Sequence, residues 1–170
     1  MSNNYFNALD KYPFFNGLSQ DEIKTFYPII QIRQYKTDEQ IIHEGNTGDF
    51  MFLLLEGEVE ISQALTYPLT EGGGDTREKT FIRLTHENHP FIGEMSLIQP
   101  QIPRSANVKA QKPCVIGIIK NGDLEKLVLK HPHIGVIIMR NIACKLANDL
   151  RTANQNVLKL TTALSLIMDQ

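Results

Sequence analysis

The residues best suited to chemistry lie in one segment, residues 91–108, which reads FIGEMSLIQPQIPRSANV. Gly93 permits a sharp turn or a close approach to a ligand, and residues 94–97 can begin a short helix whose free amides attract negative charge. The prolines that follow end this helix and fix the path of the chain, which brings Arg104 and Ser105 back toward the same place. We call residues 91–108 the cassette, and we predict that it binds an anion.

The side chains of the cassette indicate what kind of anion this is. A guanidinium fork, a hydroxyl and free helix amides together suit an oxygen-rich monoanion. Glu94 is the informative exception, because its carboxylate would repel a phosphate unless the same ligand carries hydroxyl groups that donate to it. This combination predicts a sugar phosphate. Each residue also has a simpler interpretation: Glu94 can favour a helix dipole, Arg104 can be a surface cation, and the two can pair with each other.

The order of residues in the cassette is that of a known motif. Gly-Glu, an aliphatic residue, a small residue and Leu, followed by P-R-S-A-x-V-x-A, resembles the phosphate-binding cassette of the cyclic nucleotide-binding domain family. In this family the residue matching Glu94 accepts from the ribose 2′-hydroxyl, and the one matching Arg104 holds the cyclic phosphate. The resemblance implies that the remaining contacts come from Gly93, Met95, Ser96, Ser105 and Ala106. A cyclic phosphodiester carries one negative charge, so one arginine suffices and no metal is required.

Residues 29–119 consist of short apolar or alternating runs separated by Gly, Asp and Pro, which predicts a mainly β fold with flanking helices, a β-roll or jelly-roll-like barrel. The candidate strands are 30–34, 40–43, 51–56, 58–64, 80–84, 107–112 and 114–119. Glu56-Gly57 is predicted to join two of them as a tight hairpin. Residues 66–77 are predicted to form a surface loop. The run IIHEGNTGDFMFLLLEGEVEI also resembles the glycine pattern of the family's barrel.

Helical segments are predicted on both sides of this region. Residues 1–28 form an N-terminal helical segment, in which Ser19 and Glu22 have the spacing of a capping box. The β-roll takes residues 29–120. Residues 121–170 form C-terminal helices, a short one over residues 124–129 and a long one from about Ile134. The N-terminal apolar residues expected to cover one end of the sheet are Phe14, Phe15, Leu18, Ile23 and Phe26.

The long helix carries an apolar seam with heptad spacing, which we call the seam. Its members are Leu146, Leu150, Ala153, Val157, Leu160, Leu164 and Ile167. This regularity predicts a homodimer, although the same face could instead pack on its own barrel. The resemblance favours the dimer, because bacterial relatives pair through this helix. It also implies that the nucleotide base lies near Asn148, Asp149 and Thr152, and that binding repositions the helix.

Composition excludes several other classes of protein. The 17 Lys and Arg residues nearly balance 19 Asp and Glu residues without a basic cluster, so no direct nucleic-acid partner is expected. No apolar run reaches membrane-spanning length, and the N-terminus is too polar for a secretory signal, which favours a cytoplasmic protein without membrane contact. His86 and His89 lack a third ligand at fixed spacing, so neither a metal nor a cofactor is expected. No motif indicates an enzyme.

The sequence therefore predicts a cyclic nucleotide sensor that acts on an unidentified downstream protein. Ser105 can donate to phosphate or reach a purine edge, so both cyclic AMP (cAMP) and cyclic GMP (cGMP) are permitted. We favour cAMP because it is the commoner ligand among bacterial relatives. One alternative is a degenerate domain that only contacts proteins. Another is the regulatory fragment of a larger protein such as a transcription regulator, whose helix-turn-helix would have to follow Gln170.

Overall fold

A computed structural model describes residues 3–64, 78–99 and 101–168 of the chain. Within these residues, eight strands form two four-stranded antiparallel sheets, with the orders β1-β8-β3-β6 and β2-β7-β4-β5. The strands are β1 Ile30–Tyr35, β2 Gln40–Ile42, β3 Phe50–Glu56, β4 Glu58–Ala64, β5 Glu78–Thr85, β6 Phe91–Ile92, β7 Asn107–Ala110 and β8 Cys114–Lys120. The predicted mainly β roll is confirmed.

Short helices precede the sheets and a long helix follows them, as predicted. The α-helices are α1 Asn3–Phe6, α2 Gln20–Lys24, α3 Met95–Ile98, α4 Asn121–Lys130 and α5 Pro132–Met168. Single 3₁₀ turns lie at Leu9–Lys11, Pro13–Phe15, Tyr27–Ile29 and His86–Asn88. The predicted capping box begins α2: Ser19 Oγ accepts from the Glu22 amide, and the Glu22 carboxylate accepts from the Ser19 amide at 2.8 Å. No helix in the described ranges is long and apolar enough to cross a membrane.

The core has two parts that meet at β3. Alternate side chains of a strand point to opposite faces. Phe52 and Leu54 therefore enter a cluster between the two sheets, whereas Met51 and Leu53 join a second cluster beneath the helices. Four of the predicted N-terminal core residues, Phe14, Phe15, Ile23 and Phe26, are buried in that second cluster, and Leu18 is half-buried against it.

The predicted hairpin at Glu56-Gly57 is wrong. β3 pairs with β6 and β8, while β4 pairs with β5 and β7, so the turn carries the chain from one sheet to the other. Gly57 has a φ of +93°, and a Cβ there would collide with the Pro113 carbonyl oxygen. Glycine is thus required for a tight corner. The letters Glu-Gly predict a turn, but they carry no information about which strands pair on either side.

Other local differences concern element boundaries. Helix α4 spans Asn121–Lys130, where residues 124–129 were expected. The short strand β6 is not among the sequence predictions, and β7 ends at Ala110 where residues 107–112 were expected. Helix α5 begins at Pro132 rather than Ile134, because proline is well tolerated in the first turn of a helix. The predicted surface loop at residues 66–77 lies outside the described residues.

Helix α5 consists of two parts with different surroundings. Its first part buries Ile134, Ile137, Ile138 and Ile142 against the N-terminal helices and α4, and Asn141 Nδ2 donates to the carbonyl oxygens of the N-terminal segment at 2.9 and 2.8 Å. Leu146 is half-buried against the same core. Every residue from 147 to 168 is exposed. The first part therefore fixes α5 to its own domain, and the second projects away from it.

Candidate functional site

The cassette begins at β6, a short strand at the edge of one sheet. In β6, Phe91 pairs with Leu53 and Ile92 with Phe52 of β3. Gly93 then adopts a φ of +84°, which a side chain would strain, and this turn leads through Glu94 into α3. The sequence prediction of a glycine turn followed by a short helix agrees with this geometry.

The return of the chain to this turn depends on a neighbouring loop, residues 43–49. The Arg104 amide donates to the Asn46 carbonyl oxygen at 2.9 Å, and the Gly45 amide donates to the Arg104 carbonyl oxygen at 2.9 Å. Thr47 also forms an isolated β-bridge with Pro103. These backbone contacts hold Arg104 next to the start of α3, although 11 residues separate it from Gly93.

The guanidinium of Arg104 lies beneath the cassette with 9% of the residue exposed. Its Nη1 donates to the Gly93 carbonyl oxygen at 3.2 Å and to Ser96 Oγ at 3.1 Å, and its Nη2 donates to the Phe50 carbonyl oxygen at 2.6 Å. The group also lies 4.7 Å from the centre of the Phe50 ring. Three of its five N–H groups are thereby used within the described part of the protein, which leaves donors for a ligand.

Burial lowers the pKa of Arg104, and the nearby carboxylates of Asp49 and Glu94 oppose that shift. An arginine remains charged through any such change at neutral pH. The charge is therefore fixed and only partly solvated, which makes this the strongest candidate position for an anion.

Two glycines make room for the guanidinium. A Cβ on Gly93 would lie 2.7 Å from Arg104 Nη1, and a Cβ on Gly48 would overlap Nε and Nη2. Gly48 has an ordinary φ, so its role is close approach rather than an unusual backbone conformation.

The carboxylate of Glu94 does not form an ion pair with Arg104. The alternative interpretation in which these two residues pair with each other is therefore wrong. Glu94 is 5% exposed, and its Oε1 accepts a hydrogen bond from Lys145 Nζ of α5 at 2.8 Å. Lys145 also contacts Asp149 Oδ2 at 2.7 Å. A chain of three alternating charges thus connects the cassette to the long helix.

The cassette and α5 border a cavity of about 920 Å³, a volume within the usual range for small-molecule sites. Of the residues predicted to form the site, those that line it are Gly93, Glu94, Met95, Ser96, Arg104, Ser105, Ala106, Asn148 and Asp149. Ser105 and Met95 are exposed, whereas Ser96 is buried and its hydroxyl contacts the Phe50 and Gly93 carbonyl oxygens at 2.9 and 2.7 Å. Apolar side chains from both sheets also line the cavity: Ile42, Ile61, Ile82, Leu84, Ile92 and Val108.

Thr152, the third predicted base contact, does not line this cavity. Its hydroxyl donates to the Asn148 carbonyl oxygen at 3.0 Å, one helical turn beyond the last lining residues. Four residues that line it were not predicted: Arg140, Asn141, Cys144 and Lys145. The helical spacing 141, 145, 148 was the available signal, because residues three and four apart share a face.

The described residues contain no group of three or more His, Cys, Asp or Glu side chains that could hold a metal ion. The two histidines of the H-x-x-H motif have other surroundings. His86 Nδ1 lies 3.2 Å from the Gly57 carbonyl oxygen, and the His89 ring packs edge-on against Tyr12.

The chain is similar to several known proteins. The sequence model of a protein family, the cyclic nucleotide-binding domain, matches residues 32–131 of this chain. The chain is 32% identical over 155 residues to glutaminase 1 of Bradyrhizobium diazoefficiens, covering 91% of this chain but 22% of that protein. It is 32% identical over 109 residues to the cGMP-dependent protein kinase egl-4 of Caenorhabditis elegans, covering 64% of this chain and 13% of the kinase.

A crystal structure of a cyclic nucleotide-binding domain from Methylobacillus flagellatus KT superposes with a TM-score of 0.73 at 25% identity, covering 91% of this chain and 80% of that one. The chain spans only a small part of the curated relatives named above, so the resemblance to them concerns a domain rather than their whole length. The match to the family model covers more than half of the chain and includes β1 to β8 except the first two residues of β1. This chain belongs to the cyclic nucleotide-binding domain family.

Proposed function

We propose that the chain binds one cyclic nucleotide in the cavity between the cassette and α5, and that binding repositions α5 to regulate a downstream protein. The observation that carries this proposal is the buried, permanently charged Arg104 next to a buried carboxylate, Glu94, at the edge of a largely apolar cavity. A ligand for this site needs an anionic group, hydroxyl donors and an apolar surface. A cyclic nucleotide has all three.

The phosphate in this proposal lies against Arg104. The guanidinium retains free N–H groups, and the exposed hydroxyl of Ser105 follows it directly in the chain. Gly93 lets the backbone approach closely. One arginine balances the single charge of a cyclic phosphodiester, whereas an open-chain nucleotide such as 5′-AMP carries additional negative charge next to Glu94.

The ribose and the base occupy the rest of the cavity. Glu94 accepts from the 2′-hydroxyl, the apolar walls contact the faces of the base, and Asn148 and Asp149 meet its polar edge. A carboxylate can only accept hydrogen bonds, so Asp149 meets an amino group of the base, which adenine and guanine both carry. We propose cAMP as the preferred ligand because of its prevalence among bacterial relatives. The similarity to the egl-4 kinase, which its name describes as cGMP-dependent, makes cGMP the competitor to test.

Competition binding at equilibrium tests this assignment. A fluorescent cyclic nucleotide bound to the protein should be displaced by cAMP at lower concentration than by cGMP, and 5′-AMP should be the weakest of the three. Stronger displacement by cGMP would overturn the choice of base. Equal displacement by 5′-AMP would overturn the claim that the site selects a cyclic phosphodiester.

Gly48→Ala is expected to weaken nucleotide binding while leaving the fold largely intact. A Cβ at this position overlaps the guanidinium of Arg104 and forces it to move, and a small displacement of a binding group is costly. We expect a loss of about tenfold to a hundredfold in affinity, since the contact to a charged group is worth roughly 1.5–3 kcal/mol.

The matched control is Gly122→Ala in α4, where a Cβ would meet no atom within 4 Å. Calorimetric titration gives the affinities, and thermal unfolding monitors the fold. Unchanged affinity in Gly48→Ala would show that nucleotide binding does not depend on this position of the Arg104 guanidinium.

A second candidate function is a protein-contact module that binds no nucleotide. The observation in its favour is that the polar groups of the cassette have protein partners: Arg104 donates to backbone carbonyls and Ser96, and Glu94 pairs with Lys145. A ligand must therefore compete with some of these contacts. If no cyclic nucleotide binds the folded chain, this alternative replaces the sensor.

We also propose that two copies pair through the exposed part of α5. Five large apolar side chains of the seam beyond Leu146 are 58–72% exposed: Leu150, Val157, Leu160, Leu164 and Ile167. An apolar stripe of this regularity on a projecting helix is costly in water, and a second copy of the same helix has the matching spacing. In this arrangement the helix that borders the nucleotide cavity is also the helix that joins the two copies.

A further inference from the structure

Lys145 is a residue of α5 that lines the nucleotide cavity. The proposed phosphate and ribose contacts do not use it. Its Nζ lies 2.8 Å from Glu94 Oε1 and 2.7 Å from Asp149 Oδ2. The side chain is 29% exposed, and that of Glu94 is 6% exposed. Its ammonium also lies 5.6 Å from the centre of the Phe91 ring, at the start of the cassette.

The two oxygens of Glu94 are not equivalent in this arrangement. Oε1 accepts from Lys145, whereas Oε2 has no hydrogen-bond donor among the described residues. A buried carboxylate with one oxygen held is fixed in rotation, because the two oxygens belong to one planar group. Oε2 is then the oxygen left to accept from a ligand.

We propose that Lys145 is a positioning residue for the nucleotide, which holds Glu94 by Oε1 and so presents Oε2 to the ribose 2′-hydroxyl. This inference rests on the proposed function, since it assumes that Glu94 receives that hydroxyl. Lys145 acts through Glu94 and need not touch the ligand itself.

The surroundings of Lys145 support this role. Burial tends to lower the pKa of Lys145, but the two carboxylates that contact it outweigh burial and raise its pKa, so the ammonium is charged at neutral pH. Asp149, one turn further along α5, holds the ammonium from the other side. The ion pair therefore has a fixed geometry on a rigid helix, which is what positioning of a carboxylate requires.

The test compares cAMP with 2′-deoxy-cAMP, which lacks only the hydroxyl in question. In the wild type, the deoxy analogue is expected to bind about tenfold to a hundredfold more weakly, because it leaves Glu94 without its donor. Lys145→Met, which keeps the length of the side chain and removes the charge, should bring this ratio close to one by weakening cAMP selectively. Lys145→Arg should retain the ratio, because a guanidinium can also donate to Oε1.

Two further variants make the outcome decisive. Lys159→Met, on an exposed part of α5 beyond the cavity, should leave both affinities unchanged. Glu94→Ala should abolish the preference for the 2′-hydroxyl, because alanine has no polar side-chain atom. If Lys145→Met lowers both affinities equally, leaves both unchanged or tightens cAMP, the positioning role is wrong. If Glu94→Ala keeps the preference, or if the wild type binds neither ligand, the proposed function itself is wrong.

Discussion

Arg104→Ala is expected to weaken cyclic nucleotide binding by roughly thirtyfold to a few thousandfold. Removing one partner of a buried charged pair typically costs about 2–5 kcal/mol. Arg104 is the cation at the proposed phosphate position, and the neighbouring Glu94 would then face the phosphate without that compensation. Isothermal titration calorimetry with cAMP gives the affinity of each protein.

The substitution also removes three hydrogen bonds to the protein, so a loss of stability has to be distinguished from a loss of binding. Arg104→Lys retains the charge and should still bind poorly, because an ammonium cannot reproduce the planar fork. Arg33→Ala, at an exposed position in β1, is the matched control and should bind as the wild type does. Titrations below the unfolding temperature of every variant make the comparison valid. Wild-type affinity in Arg104→Ala would place the phosphate elsewhere.

The second large effect is expected in the seam. Leu160→Glu should convert the proposed dimer to a monomer, because residue 160 of a parallel coiled coil faces its own copy and two carboxylates would be buried together. An uncompensated buried charge costs about 3–5 kcal/mol, which corresponds to roughly a hundredfold to several thousandfold in the dimer dissociation constant. Sedimentation velocity over a range of protein concentrations measures this constant.

Thr162→Glu is the control, because position 162 lies on the face of the helix opposite the seam. It introduces the same charge and should leave the dimer intact. The positions that flank the seam beyond residue 153, such as Asn154, Asn156 and Thr161, carry no charge, and the charged flanking residue Asp149 lies near its start. Dimerisation should therefore change little with salt between about 0.1 and 1 M, since few ion pairs exist to be screened. A monomeric wild type, or a Leu160→Glu variant that still dimerises, would contradict the seam proposal.

The fold could be predicted to a large extent because its signals are local. The apolar run of β3, the alternation in β4, the glycines at corners and the heptad spacing each report the conformation of neighbouring residues. Strand pairing, by contrast, depends on residues that are distant in the sequence. Glu56-Gly57 predicts a turn correctly, but whether the strands beside it share a sheet depends on β7 and β8, which occur more than 50 residues later.

The same distinction between local and distant contacts applies to the candidate site. The residues of the cassette are close in sequence, so their convergence near Gly93 could be predicted from the motif. Lys145 is 51 residues from Glu94, and its contact depends on how α5 is rotated against the sheet. That rotation is set by the burial of Ile134, Ile138 and Ile142, which periodicity indicates only as an apolar face. Thr152 shares the predicted face but lies about 5 Å too far along the axis, because a helix turn rises 5.4 Å.

These contacts also suggest how ligand binding could reach α5. Glu94 is bonded to Lys145 in the structure, and in our proposal it is also bonded to the ribose. A ligand shifts the position of the helix only by its differential affinity for the two arrangements. The Glu94–Lys145 contact is the place where the two arrangements would differ in energy, since it joins the cassette to the helix directly.

Binding of cAMP to the wild-type chain, measured by calorimetry beside Arg104→Lys, tests the central claim most directly. We expect a saturable heat with one nucleotide per chain for the wild type, and a loss of at least about tenfold in affinity for a lysine that cannot form the bidentate contact. Absence of binding of both cAMP and cGMP to the folded wild-type chain, or equal affinities of the two proteins, would contradict the proposed site.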